Sequence, residues 1–390
     1  MLRHTTHVFA RRTQGSHQLN VLTTTWHRRV ASRAQQSLDL TPSNPTQVGF
    51  VAQPRSLAQR GQQACIYTPA ALGLASARKA VLDHFELDLA PAHICLTAST
   101  SEAYGFLLSL LCDPGTCVLT PRPGYPLLDH LCALHDIARV DYPLTYDGSW
   151  SLDLDGLRLA VAQAQAQNQA PRALVVISPN NPTGHALSRG ELDALEAICS
   201  DHGLALIVDE VFAGYTLPGV QASASARPST RQRRCLTFAL SGLSKYAALP
   251  QLKLSWMLAS GPTELVDEAM ARLEVIADTY LNLATPVQLA LPQILGEAAP
   301  TRAAISARLH HNHVTLRQLC RRQQSAVTPL HCTHGWTQLV RLPAIDELDD
   351  LAWALDLIDH AGVRTQPGYL YELPADLGPV VALSLLTPPT

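Results

Sequence analysis

From about Leu72 onward the chain alternates short apolar, β-branched runs with stretches whose apolar residues recur at helical spacing, a pattern that few architectures satisfy. A strand buried on both faces reads as a continuous apolar run, whereas a strand with one wet face alternates. His93–Thr97, Cys117–Thr120, Leu174–Ser178, Leu204–Val208, Leu236–Ala239 and Leu254–Ala259 are of the first kind, each bounded by turn residues. Helical spacing fills Leu74–Phe85, Ser101–Leu111, Asp153–Gln169, Ser188–Asp201 and Ala303–Arg322, and Ser188 followed by Glu191 reads as a capping box. The fold class is α/β: a mainly parallel central sheet with helices on both faces.

The 390 residues, 47% of them hydrophobic, suffice for two domains. After Gly261-Pro262 a long helical pattern, Thr263 to about Thr279, leads into an α+β region that ends in the strand candidates Thr337–Arg341 and Val380–Leu385. The expected division is an N-terminal segment 1–45 packing on the small domain, a large domain 46–265, and a linking helix with the smaller domain over 266–390. Pro218–Arg234 reads as a surface excursion. No acidic residue precedes Asp39, while Arg3, Arg11, Arg12, Arg28, Arg29 and Arg33 do. That segment reads as a frayed arm, with an organellar presequence as the alternative.

A net charge of −3 excludes a broadly basic nucleic-acid surface, and no apolar run approaches the roughly 20 residues of a membrane span. The expected partner is a small molecule, with neither nucleic acid nor membrane. Nine cysteines without a C-x-x-C pair read as reduced core thiols, hence a cytoplasmic protein. His310, His311 and His313 lack i, i+4 spacing, and His331, Cys332 and His334 lack a second ligand pair, so no metal is expected. No G-x-G-x-x-G follows a strand, and there is no P-loop.

Four loops converge on one rim. Ser178-Pro-Asn-Asn-Pro-Thr-Gly184 and Asp209-Glu210 each follow a buried strand directly. Leu240-Ser-Gly-Leu-Ser-Lys245 follows a further strand, and Thr97-Ala-Ser-Thr-Ser-Glu-Ala103 joins a strand to a helix. Open α/β sheets place ligands at the carboxyl ends of their strands. Only three lysines exist, Lys79, Lys245 and Lys253, so any lysine chemistry has three candidates.

In order and spacing these elements resemble the fold-type I pyridoxal-phosphate enzymes, specifically the class I/II aminotransferases, over nearly the whole chain. The resemblance implies pyridoxal 5′-phosphate as cofactor. Lys245 then forms the Schiff base, Asp209 pairs with the pyridine nitrogen, and Asn181 hydrogen-bonds the phenolic oxygen. Tyr125 stacks on the ring. Ser99, Thr100 and Ser101 form a phosphate site at a helix start, with a further contact from Ser241. Tyr67 reaches the phosphate of the neighbouring subunit in a homodimer, and Asn44, on the segment that crosses the active-site mouth, is a substrate-binding candidate. Lys79 falls on a helical face.

The departures are specific. Lys253 stands where relatives carry an arginine on the phosphate, which loses the bidentate fork. Phe212 stands where a tyrosine commonly donates to the phenolic oxygen. Near the C-terminus, where an arginine often grips the substrate carboxylate, the chain reads Val380-Val-Ala-Leu-Ser384. Either Arg28 or Arg29 replaces that arginine, or the substrate has no free α-carboxylate. The function implied is amino-group transfer between an amino acid or related amine and a 2-oxo acid. Decarboxylation, elimination or carbon–carbon bond formation on the same fold is the alternative, and a non-catalytic binding protein is a more distant one.

Overall fold

The computed structural model describes residues 10–13, 19–32, 37–51, 69–219, 233–281, 283–322, 326–345 and 348–388. Eight strands form the central sheet: β2 (Ile94–Thr97), β3 (Cys117–Arg122), β4 (Ala138–Tyr146), β5 (Trp150–Leu152), β6 (Pro171–Ile177), β7 (Ala205–Asp209), β8 (Thr237–Gly242) and β9 (Ser255–Ser260). Their order is β2-β9-β8-β7-β6-β3-β4-β5. The pairs from β8 through β7, β6 and β3 to β4 are parallel, while β9 runs antiparallel to both its neighbours and β5 antiparallel to β4. β2 therefore points the same way as β8.

The continuous apolar runs explain the centre of this sheet. Every residue of β2, β7 and β9 is buried, because helices cover both faces. One face packs Leu174, Leu206 and Val208 with Leu192, Leu195 and Ile198 of the helix Arg189–His202. The other packs Val175, Ile207 and Phe238 with Leu107 and Leu273 from the helices Thr100–Leu111 and Thr263–Tyr280. The capping box at Ser188 forms: Ser188 Oγ accepts the Glu191 N–H at 3.2 Å, and Glu191 Oε2 accepts the Ser188 N–H at 2.7 Å.

β4 and β5 carry no apolar run. β4 lies near the sheet edge, mostly half-buried, and includes Asp141 and Pro143. The N-terminal segment is also more structured than a frayed arm. Val21–Ser32 is a helix whose Leu22 and Trp26 pack on Ala354 and Ile358, and Leu38–Asp39 (β1) pairs in parallel with Val363–Arg364 (β12). A second sheet joins Thr328–Pro329 (β10), Thr337–Arg341 (β11), Val380–Ser384 (β14) and Gln366–Pro367 (β13), in that order. Among the described residues no helix is long and apolar enough to cross a membrane, and no cluster of three His, Cys, Asp or Glu side chains could hold a metal ion. The described cysteines are free thiols, most of them buried.

One buried ion pair ties the sheet to its cover. Arg233 Nη1 donates to Glu196 Oε1 at 2.5 Å, with side-chain exposures of 1% and 2%. Glu196→Ala leaves a buried guanidinium without its carboxylate. It should lower the unfolding free energy by about 3–5 kcal/mol, read from the denaturant midpoint. A loss well under about 1 kcal/mol would mean that water already reaches the pair.

Candidate active site

The four loops do meet. They wall a cavity of about 370 Å³ at the carboxyl ends of β2, β6, β7 and β8, closed on its far side by residues of the second sheet. Each chemical group is delivered by a different strand. Asp209 is the last residue of β7, and Lys245 lies in the one-turn helix Leu243–Tyr246 directly after β8. Asn181 follows β6, and Ser99 caps the helix that follows β2.

Asp209 is 8% exposed. Its Oδ1 accepts the Val211 N–H at 3.0 Å, and its Oδ2 accepts the Tyr104 hydroxyl at 3.3 Å. Burial pushes its carboxyl up to about 6, although both hydrogen bonds and the nearby Lys245 charge hold it down. Lys245 feels the converse: burial pushes its ammonium pKa down, and the Asp209 charge opposes that. Nζ lies 5.1 Å from the Trp336 ring centroid and 5.7 Å from that of Phe212. The Tyr215 hydroxyl donates to the Lys245 carbonyl at 2.6 Å, which holds the one-turn helix against the loop after β7. The cavity thus brings together an amine whose charge is disfavoured and a carboxyl that titrates near neutrality.

Asn181 Oδ1 accepts the Thr337 hydroxyl at 3.2 Å, so its carboxamide N–H groups are left for another acceptor. The Ser99 hydroxyl is committed as a helix cap, accepting the Glu102 N–H at 3.1 Å, while Glu102 Oε2 accepts the Ala98 N–H at 2.6 Å. The Ser99 side chain therefore caps the helix, where the resemblance implied a phosphate contact. Thr100 and Ser101, in the first turn of a 12-residue helix whose leading N–H groups have no intrahelical partner, line the cavity. Tyr125, 49% exposed, lines the cavity, and Phe212 lines it as well.

A family profile described as "Aminotransferase class I and II" matches residues 38–378. The chain belongs to this family. Rice nicotianamine aminotransferase 1 (Oryza sativa subsp. japonica) is 30% identical over 236 residues, 58% of this chain and 45% of that protein. Glutamate-pyruvate aminotransferase AlaA of Escherichia coli (strain K12) is 27% identical over 275 residues, 69% of this chain and 66% of that protein. The S-alkyl-thiohydroximate lyase SUR1 of Arabidopsis thaliana is 29% identical over 319 residues, 77% of this chain and 65% of that protein. The aligned stretch thus spans about half to two thirds of these curated relatives. Among solved structures, alanine aminotransferase from Pyrococcus furiosus superposes with a TM-score of 0.82 at 20% identity, covering 94% of this chain and 92% of that one. Tyrosine aminotransferase from Leishmania infantum gives 0.78 at 17%, covering 96% and 95%. At such identities the likeness speaks to the fold, fold type I, and the eight-stranded sheet agrees.

Several residues that the family pattern suggested are not in the wall of this class I/II aminotransferase cavity. Ser241 lines a separate void of about 40 Å³ beside Tyr246 and Glu210, because it precedes the turn that delivers Lys245; Ser244 lines the main cavity instead. Lys253 is exposed, at φ +50°, outside the wall. Asn44 spends its Oδ1 on the Thr46 N–H and hydroxyl as a helix cap, and the neighbouring Thr41, Pro42 and Ser43 line the cavity in its place. Arg28 is exposed, and Arg29 donates to the Asp359 carbonyl at 3.1 Å; docking of Leu22 and Trp26 carries both away from the cavity. Tyr67 lies outside the described residues. Tyr104, Ser255, Trp336, Thr337, Gln366 and Tyr371 also line the site without having been singled out beforehand. Trp336 and Thr337 adjoin a strand visible in the sequence, but nothing local tells which face of that strand meets the cavity.

Proposed function

We propose that this protein is a pyridoxal-phosphate-dependent aminotransferase, moving an amino group between an amine donor and a 2-oxo acid. The observation that carries the reading is the single cavity that holds both Lys245 and Asp209, each with its charged form disfavoured by burial. The donor set suits this cofactor. The buried carboxyl of Asp209 would pair with the ring nitrogen, and the uncommitted N–H of Asn181 would meet the phenolic oxygen. Tyr125 would cover the ring. Thr100, Ser101 and Ser244 would receive the phosphate.

When bound, the cofactor supplies an electron sink for the charge left as the substrate Cα–H bond breaks. The rest falls to the chain. Lys245, its ammonium pKa lowered by burial, can take a proton at Nζ from the substrate carbon and return it to a neighbouring one. Trp336 and Phe212 exclude water from around Nζ, which disfavours the charged ammonium and favours the amine form that can accept a proton. Asp209, tied to the Val211 N–H and the Tyr104 hydroxyl, is fixed in orientation before any ligand arrives.

The site is read as that of a homodimer acting in the cytoplasm, with Tyr67 contributed across the interface, and with residues 46–265 carrying the cofactor and 266–390 the smaller domain. A second reading, elimination at the same site, is favoured by the relative named as a lyase.

Borohydride reduction of the cofactor-loaded protein followed by peptide mapping tests the assignment. With three lysines in the chain, the label should fall on the peptide containing Lys245. A label on Lys79 or Lys253 would remove the basis of the reading. Amino-donor and oxo-acid assays with product analysis then separate transfer from elimination.

A further inference from the structure

We propose that the amine substrate carries a neutral carbonyl beside its amino carbon, as in a carboxamide or ester of an amino acid, in place of a free α-carboxylate. The inference rests on the aminotransferase reading above and specifies the substrate class of that site.

Among the described residues the cavity wall holds one cation, Lys245, and one anion, Asp209, and both are committed to the reaction. A carboxylate brought into this cavity would be desolvated without a cation of its own, at a cost far above that of a neutral carbonyl. The arginines that the sequence nominated for this role, and the described Arg364, are elsewhere. Arg28 and Arg29 sit on the helix docked against Ala354 and Ile358, and Arg364 is paired with Asp39 at 3.2 Å.

The place is filled by neutral groups. Ala382 of β14 is paired in register with Gln366 of β13. Gln366 lines the cavity, and its Oε1 accepts the hydroxyl of Tyr371, which lines it too. That bond orients the carboxamide so that Nε2 is the group left to donate, and among the described residues it has no hydrogen-bond partner. Trp336, 3% exposed and also in the wall, has a buried indole N–H without a partner among the described residues. The nearby hydroxyls are already engaged: Thr337 donates to Asn181, and Ser384 donates to the Pro42 carbonyl at 2.5 Å. What the far wall offers a ligand is therefore the neutral carboxamide N–H of Gln366, the complement of a carbonyl oxygen.

The test uses the cofactor-loaded enzyme and matched pairs of amino acid and amide: alanine, leucine, phenylalanine, lysine and glutamate with their α-carboxamides. Single-turnover absorbance gives kcat/KM for each. Calorimetry with 2-methylalanine and its amide, which have no α-proton to lose, reads binding without turnover. The amides should be preferred on the order of 100-fold in kcat/KM and should bind more tightly. Gln366→Arg should reverse the preference in both measurements. Acids that react and bind as well as their amides would overturn the inference while leaving the aminotransferase reading intact. Absence of reaction with every amine, in protein whose Lys245 is labelled by borohydride, would overturn both.

Discussion

Lys245→Ala should lower turnover by about 10,000-fold or more, because on the proposed function one atom, Nζ, both anchors the cofactor and moves the proton. No other described amine lines the cavity. Lys79 lies on an exposed helix face, where its Nζ meets Asp83 at 2.6 Å, so Lys79→Ala should leave turnover within about twofold. Steady-state rates of the two variants, with cofactor content read from absorbance, make the comparison. The cofactor should still associate with Lys245→Ala through Asp209 and the helix start at Thr100. A Lys245 variant that keeps a tenth of the activity would show that the proton is carried by another group. A small amine added to that variant should restore part of the rate, since it can occupy the volume the side chain leaves.

How much of this was legible in the residues alone follows from where the information sits. The strands β2, β3, β6, β7, β8 and β9 are buried on both faces, so each displays its identity as a local apolar run, and the loops at their carboxyl ends could be placed in order. Asp209, Asn181 and Lys245 came with those loops because each lies within a few residues of a strand end. β4 escaped because it is only half-buried, and the helix Thr285–Glu297 because Pro292 interrupts its pattern. The far wall escaped for a different reason. Trp336, Gln366, Tyr371 and Ser384 reach the cavity through pairings between segments distant in sequence, β11 with β14 and β13 with β14, and no local spacing encodes which of their side chains face it. Arg28 and Arg29 were offered in place of the missing carboxylate-binding arginine. Their helix instead follows the apolar pair Leu22 and Trp26, whose burial against Ala354 and Ile358 outweighs what two arginines would gain at a cavity rim.

Asp209→Asn should separate two consequences of the same burial. The carboxyl titrates at about 6 in the folded chain against roughly 3.9 in an unfolded one, so folding favours its protonated form. The stability this group contributes is therefore fully present below about pH 4 and is lost as the pH rises through about 6. In the cofactor-free protein Asp209→Asn should flatten that part of the stability profile, so that at pH 8 the variant melts no lower than the wild type. Turnover should move the other way. A neutral carboxamide cannot hold a proton on the ring nitrogen, and the loss should be about 100- to 10,000-fold, at the scale of a general-acid group removed from a preorganised site. The wild-type association of cofactor with apoprotein should weaken as the pH falls through about 6, where Asp209 gains its proton, and the variant should lack that inflection. Asp209→Glu keeps the charge and should recover part of the turnover. If Asp209→Asn instead melts lower at pH 8 and retains turnover within about tenfold, Asp209 serves to hold the Val211 turn and the Tyr104 hydroxyl, and the ring nitrogen is served by some other group.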